Sequence, residues 1–183
     1  MALTAGTASV DLTPPDGSII ACFPDRRGDR PRPRLSEGAH DPIEARALAL
    51  ADGKQHITLC GLDFTGIRLT DVHRIRERVA QTEPDLAGPG LVLACSHTHS
   101  GPETLYLFGG SPDDPWIDEM IEGIARAILR AHDSRAPASF GVAQAPLPLN
   151  HNRRCIAPDG KMRLMQEYEP GATEVPVDPD LTV

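Results

Sequence analysis

The alternation of apolar and polar positions divides the chain into a turn-rich opening and a regular middle. A short apolar stretch around Val10 runs into Thr13-Pro14-Pro15-Asp16-Gly17, a strong turn signal. From there to about His40, Pro, Gly and Arg dominate and Ser18 to Phe23 is the one apolar run, a pattern that predicts a long loop. Ala45 to Ala51 then sets alanines on one face against Arg46, Leu48 and Leu50 on the other, which predicts a strand, and Asp52-Gly53 is a hairpin signal. His56 to Asp63 is apolar on both faces, the pattern of a covered central strand antiparallel to the one before it.

Helical spacing follows. Leu69, Val72, Ile75 and Val79 form an apolar face that predicts a helix capped by Thr70, running to about Thr82 and stopped by Pro84. Leu91 to Cys95 reads as a buried strand. A second helix starts near Pro115, with Ile117, Met120, Ile121, Ile124 and Ile128 as its buried stripe; these and Trp116 read as core rather than as a lipid groove. Ala138 to Ala145 reads as a returning strand. The order β-β-α-β-α-β predicts an α/β fold, a layered sandwich with a mixed sheet, in one domain over residues 1–183. Val177 to Val183 reads as a turn and the first residues of a strand, so the expectation is an incomplete domain, a piece of a larger protein.

Composition narrows the function. Eighteen Lys and Arg against 26 Asp and Glu give a net charge of -8, which argues against a nucleic-acid binder. The basic cluster from Arg26 to Arg34 is interrupted by Pro, Gly and Asp and reads as a solvated loop. Cys22, Cys60, Cys95 and Cys155 are widely spaced with no C-x-x-C pair, and Cys60 and Cys95 lie in apolar runs that suit buried thiols, not bridges or a nucleophile. No transmembrane segment or leader pattern is evident, so a soluble, cytoplasmic protein is the default expectation.

The chemistry concentrates in Ser96-His97-Thr98-His99-Ser100. If the two histidines continue the strand, both imidazoles project from one face, at the carboxyl end where α/β sheets place ligands. Imidazole is a common zinc ligand, and a hydrolytic zinc site keeps a position open for water. Spacing alone leaves open whether both histidines bind a metal, one does, or neither. The following Ser100-Gly101-Pro102 does not suit a metallo-β-lactamase H-x-H-x-D-H motif, and an amidohydrolase barrel needs far more chain.

The segment Ser96 to Pro102 resembles the T-H-T-H-S-G/A-P signature of the neutral/alkaline, non-lysosomal ceramidase family. Val10-Asp11-Leu12-Thr13-Pro14 resembles its D-I-T-P opening, and His40 to Leu48 its H-D-P-L-x-A-R-A-L segment. Leu62-Asp63 with Gly66, and Asn152-Arg153-Arg154 before Asp159-Gly160, follow in the family's order. The resemblance implies a zinc-dependent amide hydrolase that cleaves N-acylsphingosine to fatty acid and sphingosine, with a small-molecule or lipid amide as substrate. It implies His97 as a Zn2+ ligand, His99 as a non-ligand partner that places substrate or assists proton transfer, and Arg153 as a hydrogen-bond donor to substrate. His40, Asp63, Ser100 and Asn152 are implied in substrate binding or in supporting the site, with Asp63 expected to orient a ligating imidazole. Arg154 and His151 are expected to face solvent. The family's remaining zinc ligands, a second histidine, a glutamate and a tyrosine, come from later in the chain than Val183. Two alternatives stand beside this reading: the same fold acting on another N-acyl amide or ester, or a non-catalytic remnant or interaction module with an unpaired terminal strand.

Overall fold

The computed structural model describes residues 2–25, 32–149, 152–164 and 173–183. His151 and most of the basic cluster from Arg26 to Arg34 lie outside the described residues. The chain divides into two compact units, Met1–Ser139 and Phe140–Val183, each described by itself.

The first unit is a mixed α/β layer. Its strands are β1 (Thr4–Asp11), β2 (Ile19–Asp25), β3 (Arg32–Leu35), β4 (Glu44–Ala51), β5 (His56–Leu62), β6 (Leu91–Cys95) and β7 (Ala136–Pro137). Its helices are α1 (Leu69–Ala80) and α2 (Pro115–Asp133), with a 3-10 turn at Pro84–Ala87. Five strands make one sheet in the order β6-β5-β4-β1-β7. The β4–β5 hairpin forms as the sequence predicts: the Asp52 carboxylate accepts the amides of Lys54 and Gln55, and Gly53 takes a positive φ of 86°. In β4 the predicted faces also hold, with Ala45, Ala47 and Ala49 buried. β6 pairs parallel to β5, so the connection through α1 is a crossover.

Three elements differ from expectation. Thr4 to Asp11, short of large apolar residues, is not a lead-in but a central strand, antiparallel to β4 over eight paired positions. The reason is the proximity of α2. A Cβ added at Gly6 would lie 2.2 Å from the Ala131 carbonyl oxygen, so only a very small residue fits there. The opening loop contains a hairpin: β2 pairs antiparallel with β3 across an irregularity, and the exposed β3 carries Arg32 and Arg34 on a strand rather than in a loop. Ala138 to Ala145 is not a continuous strand. Two residues of β7 pair with β1 before the unit ends, and β8 (Gln144–Pro146) belongs to the second unit.

Both helices hold a core against one face of the sheet, built from Leu62, Phe64, Ile75, Val79 and Leu91 with the α2 stripe Ile117, Met120, Ile121, Ile124 and Ile128. α2 starts at Pro115 as expected, with Asp114 capping it by accepting the Trp116 amide, and the Trp116 indole donates to the Leu12 carbonyl at 3.1 Å. α1 begins one residue before Thr70, with Arg68 as its cap position, and Leu69 is exposed instead of joining the apolar face. Its buried turn is Asp71, Ile75 and Val79. Arg74–Asp118 and Arg78–Glu122 ion pairs join the helices. The opposite sheet face is apolar but open: Ile57, Leu59 and Val92 are each about 40% exposed, so β5 is covered on one side, not two.

In the second unit β9 (Arg154–Ile156) pairs with β10 (Met162–Leu164) and β11 (Thr173–Glu174) around buried Cys155. β12 (Asp180–Thr182) is not unpaired: it lies antiparallel to β8. No helix among the described residues is long and apolar enough to cross a membrane.

Candidate functional site

Two parallel strands deliver the site. β5 ends into Asp63, Phe64 and Thr65, and β6 ends into Ser96, His97 and Thr98. Pairing continues past both ends, the Ser96 amide donating to Leu62 and the His97 amide to Phe64. The expectation that the histidines prolong the strand does not hold. His97 has φ of 61°, in the left-handed region, which costs a non-glycine residue about 1–2 kcal/mol and breaks the alternation of faces. The rings meet nonetheless: their centroids are 4.9 Å apart, edge to face, with the two Nε2 atoms 3.3 Å apart.

The local bonds explain the turn. His97 Nδ1 lies 2.7 Å from the Thr65 carbonyl oxygen, and a carbonyl only accepts, so Nδ1 carries the hydrogen. Nε2 of the neutral ring is then a lone pair facing His99. The Thr65 hydroxyl donates to the Thr98 carbonyl at 2.6 Å, and the Ser100 amide to the Thr98 hydroxyl at 3.2 Å. Asp63 does not orient the imidazole. Its carboxylate accepts Arg46 Nη1 at 2.7 Å and the Glu44 amide at 3.1 Å, and Arg46 also reaches Glu44. The Asp63 partnership raises the Arg46 pKa further.

A cavity of about 460 Å³ adjoins the motif. It is lined by Thr98, Ser100, Gly101 and Pro102 of the motif and its exit, by Asp63, Ile43 and the His40-Asp41 pair, and by Ser18, Ile19, Ile20 and Arg34. The His40 ring is almost fully exposed, bonded to Asp41 at 2.8 Å, and stands at the cavity rim, not behind His97. β2 is fastened to the motif's exit, the Ala21 amide donating to Gly101 and the Glu103 amide to Ile19. That exit is itself tied down by hydrogen bonds. Buried Glu103 accepts the Leu105 and Phe108 amides at 2.9 and 3.0 Å, and Tyr106, also at positive φ, donates its hydroxyl to buried Asp71 at 2.8 Å. Burial first, and that bond next, push the Tyr106 pKa up.

Asn152 and Arg153 belong to the second unit. Asn152 builds a turn there, its oxygen accepting the Arg154 amide at 3.0 Å and its NH2 donating to the Pro176 carbonyl, while Arg153 and Arg154 are exposed.

His97 fits the role of a metal ligand in one respect: its Nδ1–H is held by a carbonyl and its Nε2 is presented, as ligating histidines are. The 3.3 Å between Nε2 atoms suits a hydrogen bond from His99, and equally two ligands of one tetrahedral ion, about 3.3 Å apart at ordinary Zn–N lengths. Among the described residues no group of three or more His, Cys, Asp or Glu side chains is placed to hold a metal. Sequence reasoning missed Thr65, Arg46 and Glu103, because their partners lie across turns that no periodicity marks.

No protein-family model and no curated protein matches the chain. Among solved structures it is similar to neutral ceramidase from Pseudomonas aeruginosa, at 20% identity and a TM-score of 0.67, over 84% of this chain and 25% of that one. It is similar also to a ceramidase complexed with C2, at 19% identity and a TM-score of 0.67 with the same coverage. These structures are of the family that the sequence motifs resemble, and the chain, spanning about a quarter of their length, shares their fold over that part.

Proposed function

We propose that the chain carries part of the active site of a ceramidase-like, zinc-dependent amide hydrolase. The observation that supports this best is the His97 ring, held by Thr65 with Nε2 turned toward His99 at the carboxyl ends of two parallel strands. In this reading His97 is a zinc ligand and His99 its partner, placing the scissile amide and moving a proton through Nε2. Zinc, when bound, supplies an acidified water and polarises the substrate carbonyl. Ser100, Asp63 and His40 line the cavity beside the motif, and the role that the family resemblance implies for Arg153 is that of a hydrogen-bond donor to the substrate. A tetrahedral transition state carries growing negative charge on the former carbonyl oxygen, which is where such a donor contributes most.

With one oriented imidazole and one partner among the described residues, the 183-residue chain is expected to hold the ion weakly. Titration with Co2+, whose visible spectrum reports its ligands, gives the affinity. His97→Ala should abolish binding and any hydrolysis of N-acylsphingosine. His99→Ala should keep the metal and lose turnover. Retention of metal by the His97 variant overturns the assignment, and its loss in the His99 variant makes both histidines ligands.

The cavity favours a second reading of the substrate. Arg34, His40, Asp41, Ser18 and Ser36 stand in its lining among the isoleucines and prolines, so polar groups are at hand for a short or polar N-acyl amide. Turnover of soluble acyl amides without turnover of N-acylsphingosine would select it.

A further inference from the structure

We infer that Thr65 is the positioning residue of this site: its carbonyl fixes the His97 tautomer and its hydroxyl holds the left-handed turn that aims the ring. The inference rests on the reading of His97 as a metal ligand for its consequence, though not for its geometry. Thr65 is 5% exposed, among the few polar residues buried in this unit. Thr65 lies three residues past β5, opposite Thr98 three residues past β6, in the parallel register that pairs Leu62 with Cys95. Three bonds clamp His97 between them: its amide to the Phe64 carbonyl at 3.0 Å, its Nδ1–H to the Thr65 carbonyl at 2.7 Å, and the Thr65 hydroxyl to the Thr98 carbonyl at 2.6 Å.

The first two bonds use the main-chain carbonyls of residues 64 and 65 and do not depend on the side chain at 65. The third needs a hydroxyl. Without it the Thr98 carbonyl loses the Thr65 hydroxyl, one of the bonds that hold the strained φ at His97 in place. Relaxation carries the ring off the Thr65 carbonyl, and Nε2 takes the hydrogen that a ligand position cannot have. Thr65→Val removes the hydroxyl at nearly constant shape, and Thr65→Ser keeps it.

The test uses the full chain, labelled with 15N-histidine, at roughly two pH units above the ordinary imidazole pKa. Long-range 1H–15N correlation reads the tautomer without any metal. His97 is expected as the Nδ1–H form in the unaltered chain and in T65S, and as a mixture in T65V. Co2+ binding by T65V should weaken about 10- to 100-fold, the range for loss of a group supporting a ligand, with T65S near the unaltered value. Unaltered protein with the hydrogen on Nε2 overturns the inference, as does T65V that keeps both the tautomer and the affinity. Should T65V not fold, the tautomer in the unaltered chain and in T65S decides the matter. If no form binds Co2+ but T65V alone loses the Nδ1–H tautomer, the positioning role stands and the metal reading of His97 falls.

Discussion

Glu103 is a carboxylate buried to 5% exposure, and both its oxygens accept main-chain amides of the loop that leaves the histidine motif. Glu103→Ala leaves those two donors without an acceptor in a closed space, which should cost about 2 kcal/mol in urea unfolding, with Glu103→Gln losing less. Cys60 gives a pH prediction. Burial above all, with the Cys95 thiol adding to it, pushes the Cys60 thiol from 9.0 up to about 12. Over that interval an unfolded thiol has lost its proton and the native one has not, so stability is complete below about pH 9 and falls as pH rises toward 12. Tyr106, also raised, adds to the decline. The melting temperature should therefore drop steadily on the alkaline side, and Cys60→Ala should make that drop shallower. At this scale the sequence revealed the histidine pair but not its supports. His97 and His99 are adjacent in the text, whereas Thr65 and Asp71 act on groups 32 and 35 positions away.

Arg76 joins two elements through three carbonyls. One arm of its guanidinium reaches Ala87 and Gly88 at 2.6 Å and the other reaches Leu91 at 2.7 Å, tying α1 to the start of β6. Arg76→Ala should destabilise by about 2–3 kcal/mol, since hydrogen bonds to a charged donor are the stronger kind, and Arg76→Lys should recover only part of it, having no fork. The close seat of α2 on β1 is tested at Gly6. A methyl group there meets helix backbone, so Gly6→Ala should lose about 3 kcal/mol by forcing the layers apart, seen as a lower denaturant midpoint. This tight seat also explains why β1 escaped notice in the sequence while α2 did not. The helix shows its isoleucines at full helical period, but the strand beneath it must be small, and Thr-Ala-Gly-Thr-Ala-Ser looks like loop composition. The β4–β5 hairpin was legible because turn chemistry and alternation agreed. The β2–β3 hairpin was not, because prolines and arginines mask a pairing set partly by contact with the motif's exit.

For the molecule as a whole, the sequence predicted the α/β class, the mixed sheet and the run from β4 through β5, α1 and β6 to α2. It erred on cover. A strand apolar on both faces asks for two layers, and the first unit supplies helices on one face only, leaving Ile57, Leu59 and Val92 about 40% exposed. For the 183-residue chain, Leu59→Thr should therefore change stability by less than about 0.5 kcal/mol, as at other exposed positions, while reducing binding of an apolar fluorescent dye. A large loss of stability would mean that the face is packed in solution. The pattern of a strand reports what its surfaces can bury, and says nothing of whether the covering layer lies within the same stretch of chain.

The crossover between β5 and β6 has a consequence in time. β4 and β5 meet across a four-residue turn, but β6 reaches β5 only after α1 has folded back, and it occupies the rim of the five-stranded sheet. A strand at the rim of a sheet, paired on one side only, is among the segments that open most readily under native conditions. The Ser96 and His97 amides, bonded across that rim to Leu62 and Phe64, should exchange with deuterium sooner than the Ala47 and Ala49 amides of β4. Whatever ligand bridges the two strand ends would slow that exchange, so amide protection at Ser96 doubles as a binding assay that needs no knowledge of the reaction.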